Sequence, residues 1–433
     1  MSPLTVGIIG LIFLFALLAS GMPIAFAMML IGFAGFSYLT GLGSGLSILG
    51  ISSTSVAASY TLSVIPLFVL MGAFVSQSGL GRDIYYAIYR LMGHLPGGLA
   101  MATVGGCAGF AAVSGSSVAT AATIGTITLP EMRRYEYDDS LATGSVAAGG
   151  GLGILIPPSM TFIIYAMLTE ESVGKLFLAG IFPGILLATM FMASIYIRVR
   201  LRPNLGPPGP KSNFRERLVA ISRIWGLIVL FVLVIGGIYL GIFTPTEAAG
   251  VGALGSLIYA LSRRQLSWRG FYSSLIETVQ TTAMIMVIMI GATIFGYFLA
   301  ISRLPAEMAD FLAQSGMPRV VILAGIILLF VILGCFIESL SMQILTIPIV
   351  YPLIISSGFD PIWFGVIVVV AVEMALITPP VGLVVFVIKG IAKDVSMYTI
   401  FWGIVPFVIV QLVFIVILTA FPQIALFLPN LMK

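Results

Sequence analysis

Residues 149–159 read Gly-Gly-Gly-Leu-Gly-Ile-Leu-Ile-Pro-Pro-Ser, and residues 373–382 read Glu-Met-Ala-Leu-Ile-Thr-Pro-Pro-Val-Gly. Consecutive prolines remove two amide donors and clash with the preceding carbonyl groups, so a helix must open at each pair. The freed carbonyl oxygens suit a hard cation such as Na⁺, and the amino end of the following half-helix favours an anion. We therefore predict two broken helices, over about 140–168 and about 361–391. A simple helix kink is the alternative interpretation of each pair.

The composition indicates a membrane protein. The 433 residues are 60% hydrophobic and 8% charged, with a mean hydropathy of +1.16. Soluble domains are roughly 45–50% apolar and about 25% charged. Apolar stretches of the length that spans a bilayer, about 20 residues, recur at 3–21, 225–243 and 397–428. The sequence predicts an all-α polytopic membrane protein whose function lies within the lipid bilayer.

Residues that could build a catalytic or metal centre are scarce. Cys107, Cys335 and the single histidine, His94, are too few for a Cys/His metal cluster. No His or Lys lies near Ser114–Ser117 to act as the base that a serine nucleophile needs. The net charge of +4 reflects loop arginines, which orient membrane proteins. We predict that the chain is not an enzyme, uses no cofactor and binds no nucleic acid.

The prolines reveal an internal duplication with a period of about 222 residues. A shift of this size superimposes five prolines of the first half on five of the second: Pro23, Pro96, Pro130, Pro157 and Pro158 fall on Pro245, Pro318, Pro352, Pro379 and Pro380. We predict two repeats, over 1–197 and 225–433, joined by a polar linker at 198–224.

The basic residues predict that the two repeats are inverted relative to each other. The linker carries seven Lys or Arg residues and should be cytoplasmic. If the halves have opposite orientations, sixteen basic residues lie inside and four lie outside. Inverted repeats allow one central site to face either side of the membrane. The inside residues beyond the linker are Arg82, Arg90, Arg133, Arg134, Arg263, Arg264, Arg269, Lys389 and Lys393, and the outside residues are Lys175, Arg303, Arg319 and Lys433.

Each repeat contains a segment bracketed by prolines with a polar centre. The first covers about 96–130 around Ser114–Ser117, and the second covers about 318–352 around Glu338–Ser341. A leg of about 16 residues spans roughly 24 Å, which is less than the roughly 30 Å of a hydrocarbon core. We predict two re-entrant helical hairpins with tips near the midplane. A pair of ordinary short helices with a Ser-rich turn is the alternative.

Hydroxyl and carbonyl oxygens at the hairpin tips and Pro-Pro breaks define candidate binding sites. We predict a first Na⁺ site, a second Na⁺ site at the equivalent positions, and a substrate site between the tips. Small Ser, Thr and Ala residues that let helices pack closely are the alternative. The first Na⁺ site comprises Ser114, Ser116, Ser117, Thr120, Gly153, Ile156 and Pro158; the second comprises Glu338, Ser339, Ser341, Ala375, Thr378 and Pro380; the substrate site comprises Ser116, Ser117, Ser159, Thr378 and Gly382.

Two acidic residues are placed deepest in the second half. A carboxylate is costly within a bilayer, so Glu338 and Glu373 are candidates for a proton or cation ligand. Their repeat equivalents are Ser116 and Gly151, which are not charged. This lack of charged equivalents weakens the argument for direct ion coupling. Glu247 and Glu277 are predicted near helix ends, at the membrane interface.

The chain resembles the large membrane subunit of tripartite ATP-independent periplasmic (TRAP) transporters, the DctM type, over nearly its whole length. The most specific stretches are 106–125, Leu129-Pro-Glu-Met132, Gly153-Ile-Leu-Ile-Pro-Pro-Ser159 and Leu376-Ile-Thr-Pro-Pro-Val-Gly382. The resemblance implies an elevator-type fold, like that of the ion-transporter superfamily, in which hairpins and broken helices move together. It also implies Na⁺ as the coupling ion, with ion sites at the positions named above.

The resemblance further implies partners and a location. It implies a small four-helix membrane subunit of the DctQ type and a periplasmic substrate-binding protein of the DctP type. Because no extra amino-terminal helices are seen, we expect the small subunit to be a separate chain. The expected location is the bacterial inner (cytoplasmic) membrane, and the expected substrate is a small organic anion such as a C4-dicarboxylate, a sulfonate or a sugar acid.

Other transport functions compete with this interpretation. A stand-alone divalent-anion/Na⁺ symporter would share the hairpins but need no binding protein. A channel or a proton-translocating subunit would need a chain of intramembrane Lys, Glu or His residues. The predicted membrane interior of this sequence contains no lysine, which disfavours that class.

Overall fold

The computed structural model describes residues 1–314, 316–380 and 382–432, without the side chain of Ala313. Every regular element in these ranges is helical. The helices are α1 (Pro3–Ala19), α2 (Ile24–Thr40), α3 (Leu42–Ala57), α4 (Val64–Gln77), α5 (Leu80–Met92), α6 (Gly98–Ser114), α7 (Ser117–Arg134), α8 (Asp139–Gly151), α9 (Met160–Thr169), α10 (Val173–Leu201), α11 (Phe214–Arg223), α12 (Trp225–Phe231), α13 (Gly237–Tyr239), α14 (Pro245–Ser262), α15 (Trp268–Ser302), α16 (Leu304–Gln314), α17 (Arg319–Gly334), α18 (Ser339–Ser356), α19 (Pro361–Ile377), α20 (Leu383–Ile391), α21 (Met397–Ala420) and α22 (Gln423–Leu431). Short 3₁₀ turns lie at Thr61–Ser63, Leu152–Ile154 and Pro203–Leu205, and a π turn lies at Val232–Gly236.

The helices confirm the prediction of an all-α polytopic membrane protein. Within the described ranges, four helices are long and apolar enough to cross a membrane, and two bent pairs raise the number to six. The bent pairs are Leu42–Ala57 with Thr61–Gln77 and Phe214–Arg223 with Trp225–Tyr239. Several further apolar helices are only 10–17 residues long, among them α6 and α17. Of these short helices, α6, α9, α17 and α19 border the hairpin tips and the breaks.

Helix boundaries recur with the period of the prolines. Helix α7 spans 117–134 and α18 spans 339–356, so both ends are displaced by 222 positions. The capping residues recur as well. Asp138 accepts a hydrogen bond from the Ser140 amide at the start of α8, and Asp360 accepts one from the Trp363 amide at the start of α19. Equivalent side chains therefore start equivalent helices by satisfying free amide groups.

The two repeats pack against each other reciprocally. Helix α7 contacts α20, and its equivalent α18 contacts α9; likewise α8 contacts α21, and α19 contacts α10. Helix α2 lies along α15, whereas α14, the equivalent of α2, lies along α4. Exchanged pairs of this kind are what a pseudo-two-fold relation between the halves produces. The opposite orientation of the halves in the membrane remains a prediction.

The repeats differ at one long helix. The first half has a break between α3 and α4, whereas the second half has the single 35-residue helix α15 at the equivalent position. Pro66 lies in the first turn of α4, and its equivalent is Ile288 within α15. Because proline cannot donate the hydrogen bond of a helix interior, the first half starts a new helix there while the second continues.

The two ends of each predicted hairpin lie close together. At the first hairpin, the Tyr137 hydroxyl accepts a hydrogen bond of 3.1 Å from the Leu99 amide. At the second, the Arg319 guanidinium lies 5.7 Å from the centre of the Phe359 ring. Helices α6 and α7, and α17 and α18, therefore fold back on each other. Their re-entrance into a membrane remains a prediction.

The linker closes the base of the first hairpin. The Gly97 amide donates to the Gly206 carbonyl at 3.0 Å, and the Asp138 amide donates to the Leu205 carbonyl at 3.0 Å. The linker is also partly helical, because α10 extends to Leu201 and α11 begins at Phe214. These contacts place both ends of the first hairpin on the side of the polar linker.

An ion pair joins the first hairpin to the second broken helix. The Arg133 guanidinium, at the end of α7, lies 2.7 Å from the Asp394 carboxylate in the turn after α20. The hydrogen bond from Arg133 lowers the pKa of the Asp394 carboxyl group. Exposed ion pairs add little stability, so this contact mainly fixes the relative position of the two elements.

We expect the linker and the loop after α16 to lie on opposite sides of the membrane. In a background in which Cys107 and Cys335 are replaced by Ala and Ser, a single cysteine at the exposed Lys211 or Gln314 provides the probe. An impermeant thiol reagent applied to intact cells should label Gln314→Cys but not Lys211→Cys, because the basic linker is retained inside. Permeabilised cells provide the control. Labelling of both positions in intact cells would contradict the inverted topology. Lys433, also expected outside, lies outside the described residues.

Candidate functional site

The first hairpin tip is a two-residue turn between α6 and α7. Gly115 has φ +65°, a left-handed conformation that favours glycine. The Ser116 hydroxyl caps α7 by accepting a hydrogen bond of 3.3 Å from the Ala119 amide. A Cβ atom on Gly115 would lie 2.7 Å from the Pro158 carbonyl oxygen. The tip therefore presses directly against the first Pro-Pro break.

Hydroxyl and carbonyl oxygens meet at this contact. The hydroxyls of Ser114 and Thr120 lie 2.8 Å apart, and the Thr120 hydroxyl donates to the Ser116 carbonyl at 2.7 Å. A Cβ atom on Gly153 would lie 2.5 Å from the Ser116 carbonyl oxygen. The structure thus brings together Ser114, Ser116, Thr120, Gly153 and Pro158 from two separate segments. Oxygen atoms of these types coordinate Na⁺ at unwound helices in transporters.

The first Pro-Pro break has the order of structural elements that a broken helix should have. Helix α8 ends at Gly151, a 3₁₀ turn follows, and α9 begins at Met160. The Pro157-Pro158 peptide bond is cis. The Ile156 side chain is buried, and a Cβ atom on Gly184 would lie 2.5 Å from it. Ile156 contributes to the predicted ion site only through its backbone, because its side chain has no polar atom.

The Ser159 hydroxyl forms its hydrogen bonds within the first break. It donates to the Ile154 carbonyl, and it caps α9 by accepting a hydrogen bond of 3.4 Å from the Phe162 amide. Ser159 is fully buried and does not line the cavity between the tips. Its predicted contact with substrate thus receives no geometric support, and its evident role is to hold the start of α9.

The second hairpin tip repeats this arrangement with different side chains. Glu338 replaces the capping serine: its carboxylate accepts hydrogen bonds from the amides of Leu340, at 3.3 Å, and Ser341, at 3.4 Å. The Ser341 hydroxyl donates to the same carboxylate at 3.1 Å. The Cys335 thiol lies 3.2 Å from the Pro379 carbonyl oxygen. The second tip therefore also contacts its Pro-Pro break, and Cys335 is a contact that the sequence interpretation missed.

The second break is formed by the residues after α19. The Thr378 hydroxyl donates to the Met374 carbonyl at 2.6 Å, and the Pro379-Pro380 bond is cis. Gly382 has φ +60° and precedes α20. Val381, within the quoted motif, lies outside the described residues. A Cβ atom on Gly334 would clash with the Cβ atom of Ala375, so the end of α17 lies directly against this break.

A cavity of about 170 Å³ lies between the two tips. Its lining includes five residues of the predicted sites: Ser114, Ser116, Ser117, Glu338 and Ser339. Pro158, Thr378 and Gly382 are not part of the lining. The cavity lining comprises Val69, Gly72, Ala73, Ser76, Ser114, Gly115, Ser116, Ser117, Val118, Ala119, Ile154, Met160, Thr161, Glu277, Thr281, Ile285, Glu338, Ser339, Leu340 and Leu383.

Sequence reasoning missed several cavity residues. Glu277 was expected near a helix end, but it lies within α15 and lines the cavity, so that expectation is wrong. Thr161 was not singled out, although it lies three positions after Pro158. Glu247, in contrast, lies in the first turn of α14, where its carboxylate accepts a hydrogen bond of 2.8 Å from the Thr244 amide.

Glu373 lies apart from the cavity, between the two broken helices. Its side chain is fully buried, and a Cβ atom on Gly151, its repeat equivalent, would lie 2.5 Å from its Cγ atom. The Glu373 carboxyl group lies beside the Gln411 side-chain amide. Both groups are buried, and neither has a hydrogen-bond partner among the described residues. A proton or cation role for Glu373 remains a prediction.

The architecture is that of a helical membrane protein, and two solved structures share its fold. The fold is similar to that of the Alcanivorax borkumensis YdaH transporter, with a TM-score of 0.63 and 16% identity over 89% of this chain and 90% of that one. Neisseria gonorrhoeae MtrF gives a TM-score of 0.58 with 16% identity, over 89% and 84% of the two chains. These likenesses establish the fold alone.

Sequence comparison identifies the family. The family described as "Tripartite ATP-independent periplasmic transporter, DctM component" matches residues 11–424. The chain belongs to this family and is a TRAP transporter large permease, as the quoted motifs suggested.

Relatives cover most of the chain. It is 39% identical to the C4-dicarboxylate TRAP transporter large permease protein DctM of Pseudomonas aeruginosa, over 90% of this chain and 93% of that protein. It is 34% identical to the sialic acid TRAP transporter large permease protein SiaM of Vibrio cholerae, over 96% of each. It is 36% identical to the isethionate TRAP transporter permease protein DctMQ of Oleidesulfovibrio alaskensis, over 85% of this chain and 58% of that protein.

We expect Gly153→Ala to separate the first tip from its break. The added methyl group would meet the Ser116 carbonyl at 2.5 Å and the Thr120 hydroxyl at 2.8 Å, so one segment must shift. Overpacking of this kind costs about 1–3 kcal/mol. The thermal unfolding midpoint of the purified protein should fall, and uptake should be lost. Gly325→Ala is the matched control, because nothing lies within 4 Å of its added Cβ atom. Equal effects of the two substitutions would contradict a close tip contact.

Proposed function

We propose that this chain is the translocating subunit of a Na⁺-coupled transporter that imports a small organic anion delivered by a periplasmic binding protein. The main support is the cluster of oxygen atoms at the first tip. There, the hydroxyls of Ser114 and Thr120 lie 2.8 Å apart beside the Ser116 carbonyl. Membership of the TRAP family supports transport as the activity.

The first Na⁺ site would lie where the hairpin tip contacts the break. Its ligands would be oxygen atoms of Ser114, Ser116, Thr120, Gly153 and Pro158, with Ser117 and Ile156 completing the surrounding backbone. A cation held by both segments would favour the conformation in which tip and break are in contact. Cation binding would thereby change the population of that conformation, which is how an ion gradient can be coupled to movement.

The second Na⁺ site would lie at the equivalent contact. Glu338, Ser339 and Ser341 would contribute from the tip, and Ala375, Thr378 and Pro380 from the break. A carboxylate among these ligands would bind a cation more strongly than hydroxyl groups alone. The two sites would therefore differ in affinity, although their backbones are related by the repeat.

Transport would follow an elevator mechanism. The hairpins and broken helices form one set of mutually packed helices, in which α6 contacts α8 and α17 contacts α19. A second set consists of α2 with α15 and α4 with α14. Movement of the first set against the second would carry the cavity from one side of the membrane to the other.

The partners are also part of this proposal. We infer a separate small membrane subunit, a periplasmic binding protein and a location in the bacterial inner membrane, because the relatives are permeases of tripartite periplasmic transporters. Relatives transport C4-dicarboxylate, sialic acid or isethionate according to their names. The stand-alone symporter is the competing function, and it differs in needing no binding protein.

Reconstitution tests the function directly. Proteoliposomes that contain the chain and its small subunit should accumulate substrate only when the binding protein is present outside and an inward Na⁺ gradient is applied. A K⁺ gradient of equal size is the control for osmotic effects. Accumulation without the binding protein would favour the stand-alone symporter. Accumulation that is unchanged by removal of Na⁺ would overturn the coupling.

We expect Thr120→Val to weaken Na⁺ binding. The substitution removes a hydroxyl that contacts both Ser114 and the Ser116 carbonyl while keeping the side-chain shape. The Na⁺ concentration for half-maximal uptake should rise roughly tenfold. Thr126→Val is a matched control on the same helix, because its exposed hydroxyl bonds only to the Thr123 carbonyl. A normal Na⁺ dependence in Thr120→Val would remove this residue from the site.

A further inference from the structure

The cavity between the hairpin tips is lined by pairs of repeat-equivalent residues. With the shift of 222 positions, Ser116 pairs with Glu338, Ser117 with Ser339, Val118 with Leu340, and Thr161 with Leu383; all eight residues line the cavity. The cavity therefore lies where the two halves converge on their pseudo-two-fold axis. Because two of the pairs exchange a hydroxyl for a carboxylate or an apolar group, its two walls differ chemically.

The wall from the first repeat offers hydrogen-bond donors. Ser116 caps the 18-residue helix α7, so the amides of its first turn face the tip. The Thr161 hydroxyl provides independent support: the residue is fully buried in the cavity lining, and this hydroxyl has no hydrogen-bond partner in the described structure. Buried hydroxyls are normally paired, so a ligand atom is the natural partner. This wall suits an anionic group.

The wall from the second repeat offers acceptors. The Glu338 carboxylate already occupies the amino end of α18, where it accepts hydrogen bonds from Leu340, Ser341 and the Ser341 hydroxyl. Leu383 is the repeat equivalent of Thr161 and has no hydroxyl group. A second anionic group on the ligand would therefore find the helix end occupied by a protein carboxylate, and like charges repel.

Glu277 adds a second carboxylate from α15. It is exposed into the cavity and forms no hydrogen bond or ion pair within the described part of the chain. The described cavity lining contains no Lys, Arg or His residue to neutralise it. A Na⁺ ion at the second proposed site would neutralise Glu338 but leave Glu277 available to the ligand.

We propose that the substrate carries a single anionic group at one end and a hydrogen-bond donor, either a hydroxyl or an ammonium group, at the other. The anionic end would contact the start of α7 and Thr161, and the donor end would contact Glu277. Dicarboxylate dianions would be rejected because their second carboxylate would meet Glu277 and a helix end that Glu338 already occupies. This inference rests on the proposed function, and it makes Glu277 a residue that determines specificity.

A matched series of ligands tests the proposal. The full chain in lipid nanodiscs, with Na⁺ present, is titrated with 4-aminobutyrate, 4-hydroxybutyrate and succinate, and with the three-carbon set β-alanine, 3-hydroxypropionate and malonate. The readout is the thermal unfolding midpoint as a function of ligand concentration. We expect amino or hydroxy members to raise the midpoint more than the dicarboxylate of the same length. A response to amino compounds alone would identify an ammonium donor, a response to hydroxy compounds alone would identify a hydroxyl donor, and a response to both would mean that the site accepts either donor.

Substitutions test which cavity residues cause this ligand preference. Glu277→Gln should weaken binding of the preferred ligands roughly tenfold and reduce the discrimination against succinate. Thr161→Val should weaken all the anions alike. Glu307→Gln, at an exposed position of α16 outside the cavity lining, is the control and should change neither.

Three results would overturn the inference: succinate or malonate stabilising the protein as much as its matched partners, no response to either series, or an unchanged preference in Glu277→Gln. A dicarboxylate preference that still requires Na⁺ would overturn only this inference. Anion binding that is wholly independent of Na⁺ would instead count against the proposed coupling.

Discussion

An unpaired backbone carbonyl or amide is costly in an apolar environment, and this constraint organises the whole chain. Each Pro-Pro pair creates such groups in the middle of a helix, and each is met by the tip of a helical hairpin. At the first pair, Gly115 brings the tip to the Pro158 carbonyl, and at the second, the Cys335 thiol reaches the Pro379 carbonyl. Each tip therefore covers the break beside it, and each break lies against the end of the short hairpin helices.

The duplication solves this problem twice with the same backbone and different side chains. Ser116 and Glu338 both cap a helix that starts at the tip, but one presents a neutral hydroxyl and the other a carboxylate. Gly151 and Glu373 are equivalent positions that touch each other, and the missing side chain of one provides the space for the other. The two repeats thus have similar backbones, and different side chains at equivalent positions make the two sides of the site chemically different.

Sequence reasoning predicted the helical class and the positions of the two Pro-Pro breaks because their signals are local. The two broken helices follow from adjacent prolines, and the short hairpin legs follow from the spacing of the prolines that bracket them. It assigned Glu277 to a helix end because only its neighbours in the chain were considered, whereas α15 continues past it for 25 residues to Ser302. Thr161 was missed because a threonine in the first turn of an apolar helix has no distinctive pattern.

The sequence by itself determined the membrane class, the duplication, the family and the positions where helices must open, because composition, proline spacing and motifs are properties of the chain alone. Only the tertiary structure decided which oxygen atoms meet and which residues line the cavity. The contacts of Ser114 with Thr120, of Ser116 with Gly153 and of Glu277 with the space between the tips depend on how separate helices pack. Packing joins residues that are far apart in the chain, and no local pattern records it.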